Sequence, residues 1–388
     1  MCVRQFCAPL ASERVPLSDA LGRVLREPVL ASEDQPPFDR SAVDGFAVCL
    51  DDHQTSFHIV DEIRAGEWKP RALQLGETVR IATGGALPGE GLQVVMMETV
   101  QIEGTTACIL LRTPARNIRF RGDDCRAGQV LVEAGTVLQA GTLSLLASVG
   151  HAQPLVTRLP RVLHVATGNE IVPPEQAPGP GQIRDSNSTL VRAFFQSQGI
   201  EPLQQRISED EAAVEMALRE GAREADIVLI SGGASVGEHD FTRRVLERQG
   251  FTLHVSKTTT RPGKPLIVAQ RDRTIAFGLP GNPLAHFVCL NLYVRAVLEG
   301  FSGRPSLSLF QRGLLAVELP ADANARETFW PAVWGLEAAT VKLTPLPWAS
   351  SGDLTAPARA NALIRVPIGA TRMPEGSEVE FICTSTAT

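Results

Sequence analysis

The sequence predicts an α/β multidomain protein, with a doubly wound α/β domain between stretches of short β-strands. Three observations predict this. The chain has 388 residues, more than one hydrophobic core normally organises, so about two to four domains are expected. From residue 161 to 305, short apolar runs alternate with helical periodicities, the rhythm of a parallel sheet with crossover helices. On either side of that region, short strands separated by Gly and Pro turns replace the rhythm.

Composition narrows the class. Hydrophobic residues make up 44% and charged residues 21%, ordinary values for a globular protein. The net charge of −6 argues against general nucleic-acid or anionic-membrane binding. No apolar run reads as the roughly 18–20 residues that cross a bilayer, and the first residues lack a signal-peptide core. The seven cysteines are scattered, and none forms CxxC, so neither a zinc site nor a disulfide framework is expected. A reducing cytoplasm is the compartment this predicts.

Taken in order, Leu17–Leu25 reads as a short amphipathic helix started by Ser18 or Asp19. Pro36-Pro37 then forces an extended stretch rich in acids, ending at Asp44-Gly45. It is either an exposed functional loop or a polar linker. Residues from Phe46 to Gln129 read as a small β-rich domain. Within it, Thr78–Leu87 reads as a strand running into the Thr83-Gly84-Gly85 loop, and Val94–Glu98 is a strand ending in an acid. Arg119 and Arg121 alternate on one face before Asp123-Asp124, the usual pattern of a solvated surface. Residues 131–148 form a connection that is helical from Thr142. Strands follow at Arg161–Thr167, Leu203–Ile207, Ile227–Ile230 and Thr274–Phe277. Helices follow at Ser188–Gln198, Asp210–Glu220, beyond Asp240, and at Leu284–Leu298. Beyond Pro305 the chain returns to short strands, and residues 349–361 form a polar loop.

The richest stretch is Ala225–Gly250. A buried strand ends in Ser231-Gly232-Gly233, Gly237 follows, and a helix begins near Asp240. Strand, glycine turn and helix place bare N–H groups and a positive helix end at the carboxyl edge of a sheet, which suits an oxyanion. A tight turn alone would use the same glycines. Asp240 beside such a cradle implies a metal between acid and anion. The loops at Gly168, Gly232 and Gly281 all follow strands, so they are expected at one edge, where doubly wound sheets bind ligands. The acids Asp44, Glu98, Asp124, Glu170, Asp210 and Asp240 and the cations Lys257, Arg261 and Lys264 lie mostly at loop ends. No Ser/His/Asp set is implied, and His239 reads as a local or solvated residue. Carboxylates for a metal and cations for phosphate point to a metal-assisted enzyme acting on a phosphorylated ligand. The residues alone do not name the substrate.

The motifs PPFDRSAVDGFAV, RIATGG, VVMME, RGDD, ATGNEI, GQIRDSN, ISGGASVGEHDFT, RPGKP and GLPGNP resemble, in order, those of the molybdopterin molybdenumtransferase family, MoeA and the E domain of gephyrin. The resemblance implies a MoaB/MogA-like doubly wound α/β domain at 161–305 and a β-rich domain at 39–130. It also implies a C-terminal β-barrel-like domain at 306–388 and a mixed connecting domain from 1–38 and 131–160. The implied activity is insertion of molybdate into adenylylated molybdopterin, releasing AMP and molybdenum cofactor, with Mg²⁺. The implied setting is a cytoplasmic homodimer whose cleft forms between subunits. Molybdopterin adenylyltransferase and apo-molybdoenzymes would be transient partners, and neither nucleic acid nor membrane would be bound.

Matched position by position, Asp44, Thr83, Asp124, Glu170, Glu209, Asp210 and Asp240 carry the expected catalytic positions, with Asp44, Glu170 and Asp240 as metal acids. Ser231, Gly232, Gly233, Ser235 and Gly237 are expected against the cofactor, with Pro280, Gly281 and Asn282 beside them. Lys257, Arg261 and Lys264 are expected at phosphates, and Ser351 matches a serine of the last domain's site loop. The sequence departs from the family at Asn169 and Glu209, each usually Asp, at Arg261, usually Lys, at Arg40, usually Asn, and at Gly85. These departures motivate an alternative: a non-catalytic protein that binds molybdopterin or cofactor for delivery.

Overall fold

Turn residues cut residues 45–109 into six short strands, because no run between them exceeds eight residues. In the computed structural model, which describes residues 3–232, 236–304 and 309–384, these strands form one mixed sheet. They are β1 (Gly45–Cys49), β2 (Ser56–Ile63), β3 (Glu77–Ile81), β4 (Leu92–Met96), β5 (Val100–Glu103) and β6 (Thr106–Ile109), in the order β4-β1-β3-β2-β6-β5. Ala47, Ile63, Val79, Ile81 and Val94 fill its core. A Cβ at Gly45 would stand 2.0 Å from the Val95 carbonyl oxygen, so only glycine lets β1 lie this close to β4 directly after Asp44.

Residues 14–21 and 25–156 make one unit, and residues 3–13, 22–24 and 157–384 make the other. In the first unit a second core gathers Ala20, Leu25, Val29, Leu138, Leu146 and Val156 around α1 (Ala140–Ser148). The helix expected over Leu17–Leu25 is only a 3-10 turn, Leu17–Asp19. The reason is local. The Ser18 hydroxyl turns to the Asp19 carboxylate, Gly22 sits where a helix would need a better former, and Leu25 pairs with Val156 as a bridge.

In the second unit the expected alternation is present. The elements are β7 (Val162–Thr167), α2 (Asn187–Gln196), β8 (Leu203–Ile207), α3 (Glu211–Gly221), β9 (Ile227–Ser231), α4 (Val236–Arg248), β10 (Thr252–Val255), β11 (Thr260–Arg261), β12 (Ile267–Arg271), β13 (Thr274–Leu279), α5 (Pro283–Cys289) and α6 (Arg295–Ser302). The sheet order is β8-β7-β9-β13-β12-β10. The first four strands are parallel, and every residue of β7 and β9 is buried, as strands covered on both faces require. The sheet is not wholly parallel, because β12 and β10 add antiparallel at one edge. Arg271 and Thr274 pair across a two-residue hairpin whose Asp272 has φ of 52°, a turn signal overlooked in the sequence.

Residues 283–302 run as one helical stretch, α5 and α6 joined by a π-helical turn over Leu290–Val294. By length and composition these 20 residues could cross a bilayer, but Arg295 and Glu299 interrupt them, so they are not an unbroken apolar run. Their apolar side chains are spent inside the fold, with 78% of the segment buried. One face packs on the α/β sheet through Leu290, Val294 and Val297, and another packs on Phe329, Leu363 and Ile382 through Leu284, Phe287 and Val288.

Those last residues belong to the C-terminal strands, β14 (Gln311–Leu315), β15 (Glu327–Glu337), β16 (Thr340–Pro345), β17 (Ala362–Val366) and β18 (Glu378–Cys383), with α7 (Thr355–Arg359) before β17. The order β15-β16-β14-β18-β17 closes through a β17–β15 pairing into a five-stranded barrel. Strand β11 then pairs in parallel with β15, so the α/β part lends a strand to the barrel.

Phe277 lies fully buried in β13 against the helices on one face. Phe277→Ala is expected to destabilise this unit by about 3–5 kcal/mol. A denaturant titration that left its midpoint unmoved would contradict this placement of the core.

Candidate functional site

Parallel pairing brings four strand ends to one edge. Thr167 lies beside Ile207, Ala166 beside Ser231, and Ser231 beside Leu279. The loops starting at Gly168, Ser208, Gly232 and Pro280 therefore leave from the same edge, where open α/β sheets bind ligands. Gly232 has φ of 120°, and a Cβ there would lie 2.0 Å from the Thr167 carbonyl oxygen. Only glycine permits that approach, which sets the direction of the loop after β9. Gly233 and Ser235 lie outside the described residues. Gly237 and Asp240 belong to α4, and the Asp240 side chain also lies outside the description.

Below this edge, buried polar groups are wired in a fixed sense. Gln204 Nε2 stands 2.8 Å from the Ser188 carbonyl and 3.0 Å from His164 Nδ1, and His164 Nε2 stands 2.6 Å from Ser231 Oγ. A carbonyl only accepts, so the amide nitrogen of Gln204 must face Ser188 and its second N–H goes to Nδ1. The network thereby assigns the proton of His164 to Nε2, which donates to Ser231. Burial pushes the His164 pKa down to about 3, helped by nearby His286. Burial likewise pushes His286 to about 4, while its Nδ1 donates to the Pro280 carbonyl at 3.0 Å. Burial pushes Asp185 up, but the Ser188 hydroxyl and N–H and the Arg206 guanidinium outweigh it and hold the carboxyl below its usual range.

The acids at the edge divide by role. The Glu170 carboxylate has no hydrogen-bond or ion-pair partner among the described residues, so it is available to a ligand. Asp210 is the N-cap of α3, accepting from the N–H groups of Ala212 and Ala213 at 2.8 and 3.3 Å. The Asn169 amide oxygen accepts from the Glu209 N–H at 3.1 Å. A carboxylate oxygen would accept the same bond, so Asn169 keeps this loop-to-loop contact and loses only a charge.

The cations gather at a cavity of about 240 Å³. From the α/β part come Arg261, Gly263, Lys264, Pro280 and Asn282; from the barrel come Arg326, Trp348 and Ser351. The Arg261 guanidinium sits 5.4 Å above the Trp348 ring and donates from Nη1 to Asp322 at 2.5 Å. Neither the Lys264 ammonium nor the Arg326 guanidinium has a partner among the described residues. Asn282 donates to Ser351 Oγ at 2.8 Å, and the Leu284 N–H donates to the Ser351 carbonyl at 3.1 Å. Ser351 belongs to a loop organised by Asp353, which accepts from the N–H groups of Ala356, Ala349 and Thr355 and from the Thr355 hydroxyl. Those bonds, the Ala356 N–H foremost, pull the Asp353 pKa down to about 2. Uncompensated cations with a hydroxyl and an amide form a site for a small oxyanion. Lys257 is exposed and does not line this cavity.

In the unit of residues 14–21 and 25–156, the Thr83 N–H and hydroxyl donate to one oxygen of Asp44 at 2.6 and 2.9 Å. These bonds, the N–H first, lower the Asp44 pKa. The two loops are also laced by Gly84 N–H to Ser41 carbonyl and Ser41 N–H to Gly85 carbonyl, at 2.8 and 2.9 Å. The second oxygen of Asp44 remains open to a ligand. Asp124 is committed to an exposed ion pair with Arg119. Arg121 pairs with Asp34 at 2.8 Å, so both strand arginines serve the surface, as their alternation suggested.

Residues 2–150 match the MoeA N-terminal region (domain I and II), 164–300 a probable molybdopterin binding domain, and 312–383 the MoeA C-terminal region (domain IV). A molybdopterin molybdenumtransferase of Nostoc is 35% identical over 386 residues, covering 95% of this chain and 88% of that protein. The chain belongs to the molybdopterin molybdenumtransferase family. A member from Staphylococcus epidermidis is 29% identical over 95% of this chain and 90% of its own length. The crystal structure of the molybdopterin biosynthesis MoeA protein of Pyrococcus horikoshii superposes with a TM-score of 0.80 at 28% identity, covering 99% of this chain and 97% of that one.

Reading the motifs of this MoeA relative did not reveal Arg326, Trp348 or Asp353 as neighbours of Ser351. Asp353 could have been found, since Asp two residues before Thr at a helix start is a capping signature. Nothing local marks Arg326 or Trp348, which reach the cavity only because the barrel closes.

The buried histidines predict a pH dependence. Their folded pKa values lie below the ordinary 6.5, so the unfolded chain binds more protons between pH 6.5 and about 4. Stability is therefore complete above 6.5 and falls on acidification, by about 1.4 kcal/mol per pH unit for each histidine. His164→Gln is expected to remove about half of that slope in denaturant titrations at pH 7, 6 and 5. An unchanged slope would mean that His164 is not held neutral by burial.

Proposed function

We propose that this chain inserts molybdate into adenylylated molybdopterin, releasing AMP and molybdenum cofactor. The observation that carries the reading is the cavity where Arg261, Lys264 and Arg326 converge with Ser351, on a chain that belongs to the molybdopterin molybdenumtransferase family along its length. Molybdate is a dianion, and unpaired cations at a partly enclosed site neutralise it where water alone would have to. Lys264 and Arg326 hold the oxyanion, Arg261 contributes a planar donor edge, and Ser351 supplies a hydroxyl held in place by Asn282. The glycine-lined edge at Ser231–Gly232 and Pro280–Asn282 receives the phosphorylated pterin, with backbone N–H groups toward its phosphates.

Mg²⁺ fits the chemistry of the donors, which are carboxylate oxygens. No group of three or more His, Cys, Asp or Glu is gathered among the described residues. Glu170 in one unit, and the open oxygen of Asp44 in the other, are each an acid that would hold such an ion by few protein contacts, as suits Mg²⁺, which keeps water and phosphate ligands. When bound it neutralises charge on the phosphates. We also propose a cytoplasmic homodimer that meets an adenylyltransferase and apo-molybdoenzymes transiently. The alternative of a cofactor carrier without turnover is the weaker reading: Asp44 and Glu170 are retained, and the Asn169 contact survives its change.

The test is AMP release from adenylylated molybdopterin with Mg²⁺, with and without molybdate, by the purified protein. Molybdate-dependent release that activates an apo-molybdoenzyme is expected; tight pterin binding with no release would favour the carrier. Lys264→Ala is expected to raise the molybdate concentration for half-maximal release by about tenfold or more, the loss of one charge-assisted contact. Asp44→Ala is expected to abolish release while the circular dichroism spectrum stays unchanged.

A further inference from the structure

The oxyanion cavity carries an anion of its own at its edge. Arg261 lines the cavity, yet its Nη1 is bound at 2.5 Å to Asp322, a residue outside the lining. The pair is asymmetric: the Arg261 side chain is 23% exposed and that of Asp322 is 62% exposed. Asp322 sits four residues before Arg326, in the loop that leads into β15. That loop is fixed independently of Asp322. Ala321 is buried in the barrel core, the Asn324 side chain accepts from the Arg326 N–H at 3.0 Å, and the Asn324 carbonyl accepts from Gly369 at 2.9 Å. One short loop thus delivers a cation into the cavity and a carboxylate onto a second cation of that cavity.

We propose that Asp322 is an internal competitor of the oxyanion and sets the affinity of the cavity. The inference rests on the reading of this cavity as the molybdate site. Arg261, Lys264 and Arg326 supply three positive charges, and Asp322 cancels one of them. The remaining balance matches a dianion. Two effects of Asp322 oppose each other, and magnitude decides between them. As a prop, it steadies a guanidinium already held by the Trp348 face and by the β11 backbone, and exposed ion pairs contribute little. As a charge, it repels a dianion one guanidinium away, at a site where the dielectric is below that of water. Repulsion is the larger effect, so Asp322 weakens binding. A weaker site releases an unreacted oxyanion, and charge matching disfavours ligands of higher charge.

The experiment measures molybdate binding to the purified protein by titration calorimetry, and molybdate dependence of AMP release, at several ionic strengths. Asp322→Asn keeps an oxygen that accepts from Arg261 and removes the charge. It is expected to tighten molybdate about 3- to 10-fold, with a steeper loss of affinity as salt is added. Tungstate, a dianion of the same shape, is expected to tighten equally. Asp322→Glu is expected to behave as the parent. Unchanged or weaker binding by Asp322→Asn would overturn the proposal, weaker binding meaning that Asp322 serves as a prop. Lys264→Ala separates the two levels of inference. If it leaves molybdate binding unchanged, the cavity is not the oxyanion site. If it weakens binding while Asp322→Asn changes nothing, the site stands and the role of Asp322 does not.

Discussion

A two-residue ladder holds the candidate site together. Thr260 and Arg261 pair with Glu327 and Thr328 of the barrel, and everything cationic in the cavity depends on that register. Arg261 is part of the ladder, Lys264 comes from the loop that continues it on one side, and Arg326 precedes it on the other. The ladder is short, so it does not hold alone. Leu284, Phe287 and Val288 of α5 bury themselves against Phe329, Leu363 and Ile382, and at roughly 25 cal/mol per Å² of buried apolar surface this contact dominates the attachment. Hydrogen bonds set the register and apolar burial supplies the stability.

The sheet edge beside it is built on a different balance. Backbone groups must be left bare at the loops after β7, β9 and β13 if they are to meet phosphate, which costs packing there. The cost is offset one layer down, where buried His164 and Ser231 bond in a chain with half-buried Gln204 and Ser188. Such a chain is stiff, because turning the Gln204 amide or the His164 ring leaves a polar group unpaired. The same burial that makes it stiff keeps its histidine neutral and exposes the fold to acid.

Much of this was legible in the sequence, and the parts that were not differ in cause. Strands β7, β9 and β13 are marked by apolar runs and β8 by its place in the alternation, with Gly168, Gly232 and Gly281 in the turns after β7, β9 and β13. Their convergence at one edge followed from parallel pairing alone. Antiparallel β12 is marked only by its tight hairpin to β13, and β10 is a short strand with no buried residue. The helix expected at Leu17 failed because periodicity there competes with Ser18, Asp19 and Gly22, each a local breaker. Ser351 was reachable only through the family motif, and Arg326 and Trp348 not at all, since their place in the cavity depends on barrel closure. Strand–turn–helix alternation is legible, whereas competing local breakers, tight turns and residues assembled by barrel closure are not.

Two of the departures from the family, Asn169 and Arg261, fall where the new side chain finds support. Asn169 replaces an acid, and its amide oxygen makes the contact to Glu209 that the acid's oxygen could make. Arg261 replaces a lysine. A flexible ammonium could reach an anion from many angles, whereas a planar guanidinium must be aimed. The aim is supplied by the Trp348 face below and the β11 ladder behind, neither of which a lysine would need. Asp322 beside it offsets part of the charge that this guanidinium brings to the cavity. An aimed, permanent cation with a tuned neighbour is the arrangement of a working anion site, and it argues that these substitutions adjust the chemistry without removing it.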